Sequence, residues 1–542
     1  MLEEGKIKQK ARKGYHVLES EANGEDIYES TSYGTSGCAQ CVEEEGGEEE
    51  EEGVNIEMDV DDVLNELELG YFHYRLLLVC GLSYMADAVA TSFLSYASLC
   101  IKDEWDLGAL ETSSITACLF FGSLVGNVFV WEQVADSYGR RPACILGNFM
   151  VLFFGLSTIL APNLLVLLCI LFVAGIGVGS VFVPFDLLAE YLPAQQRGNF
   201  LTNINYFWTM GSLFVSIGAW CVIARGGWRA LAVVVALPVL LSLALTVCFL
   251  PESPRWLLLQ GRSAAAKEVL VHVAAVNKST LPSFHFADDD RSAPLDSPDS
   301  SRSHHHAESV WSEILSSPIY RAITLKLMLL SFAWGLSYNA VVLLISRMYS
   351  DDEEVGDSSG SSSSSSSEVL TFNYEDIFFN ALCELIGIFL TSRIIDRLGR
   401  QKSQAWLYGM AALSHVLTAA FFQNVMARNV LSAISRVCII GACGVTVVMT
   451  PELYPTALRV GGHALANSAS RIGSIVAPFL AQNMAMSVAT IGLILAAVDV
   501  SSVLLAFTLP ETAGRTLEKK EKTVAEEVQD ILDEEHRKEL TL

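Results

Sequence analysis

From about residue 75 onward the chain alternates between long apolar windows and short polar breaks. Windows of about 18–25 residues, the length at which a helix crosses a bilayer core, recur twelve times. They fall at 75–99, 112–131, 143–161, 164–185, 202–224, 229–250, 321–346, 374–392, 403–422, 430–450, 462–485 and 488–509. Glycine recurs inside them (Gly175, Gly177, Gly179, Gly441, Gly444), as in membrane helices that pack closely. Two stretches interrupt the pattern. Residues 251–320 are polar, with a Ser/Asp/His-rich middle, and residues 350–370 contain "DDEEVGDSSGSSSSSSS", which reads as a low-complexity loop. Residues 1–70 are polar and Glu-rich, with a short amphipathic helix expected near "VDDVLNELELGYFHYR".

The windows come in two similar sets of six. "ADSYGRRP" follows the second window and "IDRLGRQK" the eighth, placing Asp136 and Asp396 260 residues apart. "AEYLPAQQRG" follows the fourth and "PELYPTALRV" the tenth, so that Glu190 and Glu452 are 262 apart, as are Arg197 and Arg459. "GLSY" at 81–84 recurs at 335–338. Matches in the same order at near-constant offset predict an all-α membrane protein, twelve transmembrane helices in two six-helix pseudo-repeats. Parallel repeats of this kind place a substrate site between the halves near the midplane. The expected organisation is an acidic disordered cytoplasmic tail (1–70), a first six-helix half (71–250) and a cytoplasmic central loop (251–320). A second half (321–510) follows, carrying the Ser-rich non-cytoplasmic loop at 350–370, and a cytoplasmic tail (511–542) ends the chain.

Composition agrees with this reading. The chain has 542 residues, 51% of them hydrophobic, and a mean hydropathy of +0.38, unlike a soluble chain of this length. The formal charge of −26 is concentrated in tails and loops, above all at Glu43–Glu52, and argues against a nucleic-acid partner. Lys and Arg cluster in alternate loops (Arg140 and Arg141; Arg197; Arg255, Arg262 and Lys267; Arg393, Arg397, Arg400 and Lys402; Arg459). By the positive-inside rule both termini are then cytoplasmic. No charged, apolar and cleavage-site series opens the chain, so the first window is expected to serve as the insertion signal. Cys38 and Cys41 form a lone C-x-x-C and His304–His306 sit in a polar loop; neither has the second ligand pair a zinc site needs. No metal, cofactor or G-x-x-x-x-G-K-[ST] phosphate loop is expected.

Charged side chains inside apolar windows are costly and face a cavity or a partner. Asp87, Asp186, Glu384, Arg436 and Arg471 are such residues, with Lys326 near the start of the seventh window and Asp499 in the twelfth. Asp87 supports two readings: a protonatable coupling site or cation-binding carboxylate, and a buried partner of Arg436 or Arg471. The aromatic residues Tyr206, Trp208, Trp334 and Tyr338 offer a pocket for an organic cation, or simple packing. Tyr84, Asn205 and Asn339 complete the candidate set. Asp136, Gly139, Arg140 and Arg141, repeated as Asp396, Gly399 and Arg400, form a charged turn in which acid and arginine can latch one conformation. Glu190 with Arg197 and Glu452 with Arg459 belong to the same loop machinery, and Arg436 and Arg471 are expected near the cytoplasmic ends as gate residues or snorkelling anchors.

These motifs resemble the major facilitator superfamily over about residues 60–520, and within it the synaptic vesicle glycoprotein 2 and SVOP-like group. "GLSYMADAVATSFLS", "RIIDRLGRQK" and "TPELYPTALRVGGHALANSASRIGSIVAPFLAQ" carry that likeness, while "PESPRWLLLQGR" and "PETAGR" are shared with sugar and organic-ion porters. The resemblance implies a monomeric secondary transporter in a plasma or vesicle membrane, moving a small organic cation, anion or similar solute by alternating access, with H+ as coupling ion. A transport-incompetent scaffold or receptor of the same fold and a sugar porter are the alternatives. Three positions depart from the family pattern: Glu132 replaces a glycine, Ala90 an acid three residues after Asp87, and Leu171 a fourth-span arginine. The Gln-rich seventh-span signature of sugar porters is missing from "SFAWGLSYNAVVLL".

Overall fold

The computed structural model describes residues 56–58, 60–67, 69–193, 197–282, 284–286, 314, 316–348, 374–454, 458–482 and 486–512. The side chains of Arg197, Asp396 and Arg459 lie outside the described set, as do Cys38, Cys41, His304–His306 and the poly-Ser segment. A short strand β1 (Ile56–Glu57) and helix α1 (Val60–Glu66) precede the bundle. The first half comprises α2 (Tyr71–Trp105), α3 (Ala109–Tyr138), α4 (Arg140–Leu160), α5 (Leu164–Glu190) and the short α6 (Arg197–Thr202). It ends with α7 (204–226) and α8 (228–249), one continuous run except at Gly227, whose φ of +64° and ψ of −168° break it. Between the halves lie α9 (Pro254–Leu259), α10 (Ser263–Asn277) and strand β2 (Phe284–His285). The second half is α11 (Pro318–Met348), α12 (Tyr374–Leu398), α13 (Arg400–Ala420), α14 (Val425–Glu452), α15 (Arg459–Ala481) and α16 (Val488–Ala506).

Among the described residues, twelve long helices therefore stand where the twelve apolar windows lie. Among the described residues, nine stretches are long and apolar enough to cross a membrane on composition alone, one of them covering both α7 and α8. The two more polar helices, α13 and α15, complete the set. In lipid the usual sorting reverses, because only helices satisfy their own backbone there and the outer surface must be apolar. Phe121, Phe129, Phe153, Leu165, Leu237 and Leu504 are exposed, while Ser83, Asp87, Thr209, Glu384 and Arg436 are buried. The first half packs through glycine. A Cβ on Gly122 would meet the Phe172 carbonyl and one on Gly175 the Leu119 carbonyl, so α3 and α5 touch backbone to backbone.

The segment before the bundle is not all tail. Residues read as a disordered stretch up to 70 include β1, which pairs in parallel with β2 (Ile56 opposite Phe284), and α1, whose Val63, Leu64 and Leu67 are buried with Leu270 and Val273 of α10 and Phe284. The amphipathic helix expected there is α1. Its apolar stripe has a partner in the central loop, which is why it folds although its neighbours are acidic. Asn277, at the end of α10, accepts from the Phe72 N–H at 2.9 Å and so joins this small unit to α2.

Gly175→Leu forces the Leu119 carbonyl away from α5. We expect a loss of about 1–3 kcal/mol in stability, read as a lowered thermal unfolding midpoint in detergent, whereas Gly155→Leu, where nothing lies within 4 Å of the added Cβ, leaves the midpoint near wild type.

Candidate functional site

Halfway along α2 the helix is polar on one side. Asp87 is buried there and its Oδ2 accepts from Arg471 Nη2 of α15 at 3.1 Å. Its other oxygen, Oδ1, is buried beside Thr91 without hydrogen-bond geometry. The pairing is between the two halves, and of the two guanidinium partners open to Asp87 it selects Arg471. One turn away, Tyr84 packs on Trp208 of α7, ring centroids 5.6 Å apart. Trp208 Nε1 donates to the Tyr338 hydroxyl of α11 at 2.7 Å. Tyr338 donates in turn to Glu384 Oε1 of α12 at 2.9 Å, and Thr209 Oγ1 of α7 donates to Glu384 Oε2 at 2.9 Å. Glu384 closes on Arg436 of α14, whose Nε lies 2.5 Å from Oε1.

Among the described residues, three of the hydrogen-bonded links between the halves lie at this centre: Asp87 to Arg471, Trp208 to Tyr338, and Thr209 to Glu384. Asn127 to Ser468, Ser113 to the Pro478 carbonyl and Gln482 to Ser98 cross elsewhere. Arg436 and Arg471, expected near helix ends, are instead mid-helix and buried, because each lies opposite a carboxylate that would otherwise be unpaired. The other candidates distribute themselves around this centre. Asn339 is buried and donates to Gly335 O and Ser474 Oγ, locking α11 to α15. Trp334 is half-buried against the hydrophobic clusters of the bundle. Asn205 donates only to the nearby Thr202 carbonyl and joins no part of the network. Asp186 lies away from it, in the field of Glu190, Arg140, Glu132 and Asp136.

The duplicated loop motifs form two matching assemblies, each within one half. Arg140 bonds Asp136 at 2.5 Å and has its Nε 3.5 Å from Glu190, while Arg400 binds Glu452 at 3.2 Å through Nε and Nη2. Gly139 and Gly399, at φ +105° and +83°, reverse the chain just before α4 and α13. Glu252, of "PESPR", accepts the Arg140 N–H at 2.7 Å and the Arg141 N–H at 3.3 Å. Glu511, of "PETAGR", accepts the Arg400 N–H at 2.8 Å and the Gln401 N–H at 3.1 Å. A carboxylate on the unpaired N–H groups of a helix start is favoured by the helix dipole. Arg141 itself reaches the Val247 carbonyl at 2.9 Å. The two capping glutamates were absent from the sequence candidates, although the motifs holding them recur at the repeat spacing.

Other missed residues include Thr209, which a sequence cannot tell from any membrane threonine, and His415, whose Nδ1 lies 2.9 Å from Oδ2 of Asp499, an acid already noted in the twelfth window. Ala90 and Leu171, two of the departures noted above, line one apolar cavity of about 50 Å³ inside the first half, with Phe93, Leu119, Val151 and Val235. Removing one member of a buried ion pair costs about 3–5 kcal/mol. Arg436→Leu should therefore lower the unfolding midpoint sharply, and the double variant Arg436→Leu/Glu384→Leu should recover most of the loss.

Comparison with known proteins places this geometry. Residues 74–523 match the model of the sugar (and other) transporter family. The organic cation/carnitine transporter 7 of Arabidopsis thaliana is 29% identical over 449 residues, covering 79% of this chain and 88% of that protein. The synaptic vesicle 2-related protein of Xenopus laevis is 30% identical over 438 residues, covering 78% and 75%. Among solved structures, a partially occluded inward open form of the xylose transporter XylE from E. coli superposes with a TM-score of 0.62 at 19% identity, over 82% of this chain and 99% of that one. With two six-helix repeats meeting at a buried polar centre, the chain belongs to the sugar (and other) transporter family of the major facilitator superfamily.

Proposed function

We propose that this secondary transporter moves a small organic solute carrying a quaternary ammonium group and a carboxylate through a site centred on Asp87 and Arg471. Transport of small organic solutes follows from the family. The observation that carries the solute class is the arrangement of charges and rings at the point where the halves meet. Tyr84, Trp208 and Tyr338 form a continuous aromatic surface beside a carboxylate and a guanidinium that hold each other across the halves. Aromatic faces near a carboxylate attract a cation that cannot donate hydrogen bonds, and a guanidinium fork suits a carboxylate. Such a solute can exchange partners with the Asp87–Arg471 pair, one charge for each, so the halves separate without exposing an unpaired charge. The name of the Arabidopsis relative, an organic cation/carnitine transporter, points the same way.

Alternating access requires links between the halves such as these to open and re-form. The basic loops around Arg140 and Arg400 define the face we assign to the cytoplasm, on the positive-inside rule, with the two termini on that side. The latches on this face lie within each half and hold the halves rigid while they rock.

Proteoliposome uptake of labelled carnitine tests this reading. Saturable uptake is expected in the wild type, with at least a tenfold loss in Asp87→Asn and in Trp208→Ala at an unfolding midpoint that shows the variants to be folded. Uptake unchanged in Asp87→Asn removes Asp87 from the site, and failure of wild-type uptake together with no carnitine-induced rise in midpoint removes the solute class.

A further inference from the structure

Three buried carboxylates stand in the membrane-spanning core with named partners, and their partners differ. Asp87 and Glu384 each face a guanidinium, Arg471 and Arg436. Asp499, in the interior of α16, faces an imidazole. Its Oδ2 lies 2.9 Å from His415 Nδ1 of α13, and its Oδ1 accepts from Ser337 Oγ of α11 at 3.0 Å. Both members are buried, and His415 Nε2 has no hydrogen-bond partner among the described residues.

We propose that the His415–Asp499 pair is the proton-binding site of this transporter, with His415 Nε2 taking the proton; the proposal rests on the transport reading above. Arginine does not give up its proton. A proton added to Asp87 or Glu384 therefore leaves a buried guanidinium without its counter-charge. A proton added to the dyad does the reverse. The neutral imidazole with the aspartate carries one net negative charge, and the imidazolium with the aspartate carries none. Neutralising a buried charge is favourable where burying one is costly. The groups facing the pair from the packed helices are Ser337 of α11, Tyr408 of α13 and Cys438 of α14. Among the described residues no arginine or lysine of any helix forms an ion pair with Asp499.

The internal repeat supplies a control within the same molecule. At the 260-residue offset that relates Asp136 to Asp396, His415 and Asp499 correspond to Gly155 and Val239, which line the apolar cavity of the first half. The first half packs at this place without ionisable groups, so the Asp and His of the other half answer a different need. The link to the solute site is short. Ser337, Tyr338 and Asn339 are consecutive on α11, and they contact Asp499, then Trp208 and Glu384, then Ser474. Charge on the dyad is thereby felt by the helix that carries Tyr338.

Two measurements on the full chain test the proposal. The first needs no solute: in ¹⁵N-histidine NMR of the purified protein, one imidazole should pass from the neutral to the imidazolium signature across the pH range in which the chain stays folded. That resonance should be absent in His415→Gln and displaced in Asp499→Asn. A spectrum whose pH-dependent resonances are all retained in His415→Gln overturns the proposal. The second uses proteoliposomes and labelled carnitine. Both variants keep a hydrogen-bonding amide in place and should retain counterflow at equal pH within about twofold, while accumulation driven by an inward proton gradient falls at least tenfold. Gradient-driven accumulation by His415→Gln at the wild-type level overturns the proposal, as does wild-type counterflow that no pH gradient accelerates. Absent counterflow in the wild type counts against the solute class alone, and the NMR result then decides the proton site.

Discussion

A charge removed from water must find its opposite at hydrogen-bonding distance, and in lipid that requirement orders the whole interior of this bundle. Two carboxylate–guanidinium pairs meet it in different ways. Glu384 and Arg436 belong to the same half, so their charges stay matched however the halves move. Asp87 and Arg471 belong to opposite halves, so their match is broken whenever the halves part at mid-depth. Breaking it without replacement leaves two unpaired charges, each costing several kcal/mol. The contact between the halves is therefore held by an ion pair that opens cheaply only where other charges replace it. Differential binding of this kind is the sole means by which a ligand shifts a conformational equilibrium.

The duplication shows which parts of the chain are scaffold. At the loop motifs that both halves keep, the described residues do the same work: Gly139 and Gly399 reverse the chain, Glu252 and Glu511 hold the helix starts that follow, and Arg140 and Arg400 reach the acids at 190 and 452. Where the halves differ, function separates from framework. Asp87 has no acidic equivalent in "GLSYNAVVLL", and it bridges the halves. Asp499 and His415 fall 260 residues after Val239 and Gly155, apolar positions that line the cavity of the first half. Asymmetry inside a symmetric frame marks the residues that the frame does not need.

What the sequence made legible follows from range. The twelve helices, their order and the loop motifs depend on local composition and on a repeat spacing that can be counted. The pairing of Asp87 does not. Arg471 lies 384 residues away, and nothing in a single chain distinguishes it from Arg436 as the partner. His415 passed unnoticed because one histidine in an apolar window carries no pattern. Its meaning comes only from Asp499, which the fold brings beside it. Residues 56–67 were read as tail since their acidity masks an apolar stripe whose partner, α10, is far along the chain.

The two missing charges in the first half bear on whether this chain still transports. Taken singly, Ala90 and Leu171 look like losses, an acid gone from the first span and a base gone from the fourth. In the structure both face the same cavity, whose other walls are Phe93, Leu119, Val151 and Val235. An acid alone at 90, or a base alone at 171, would stand in that apolar pocket without a counter-charge. Their joint absence leaves the pocket neutral and the helices packed, as charge matching requires. Elsewhere in the core Asp87 faces Arg471 and Glu384 faces Arg436, so each of these four charges has a counter-charge.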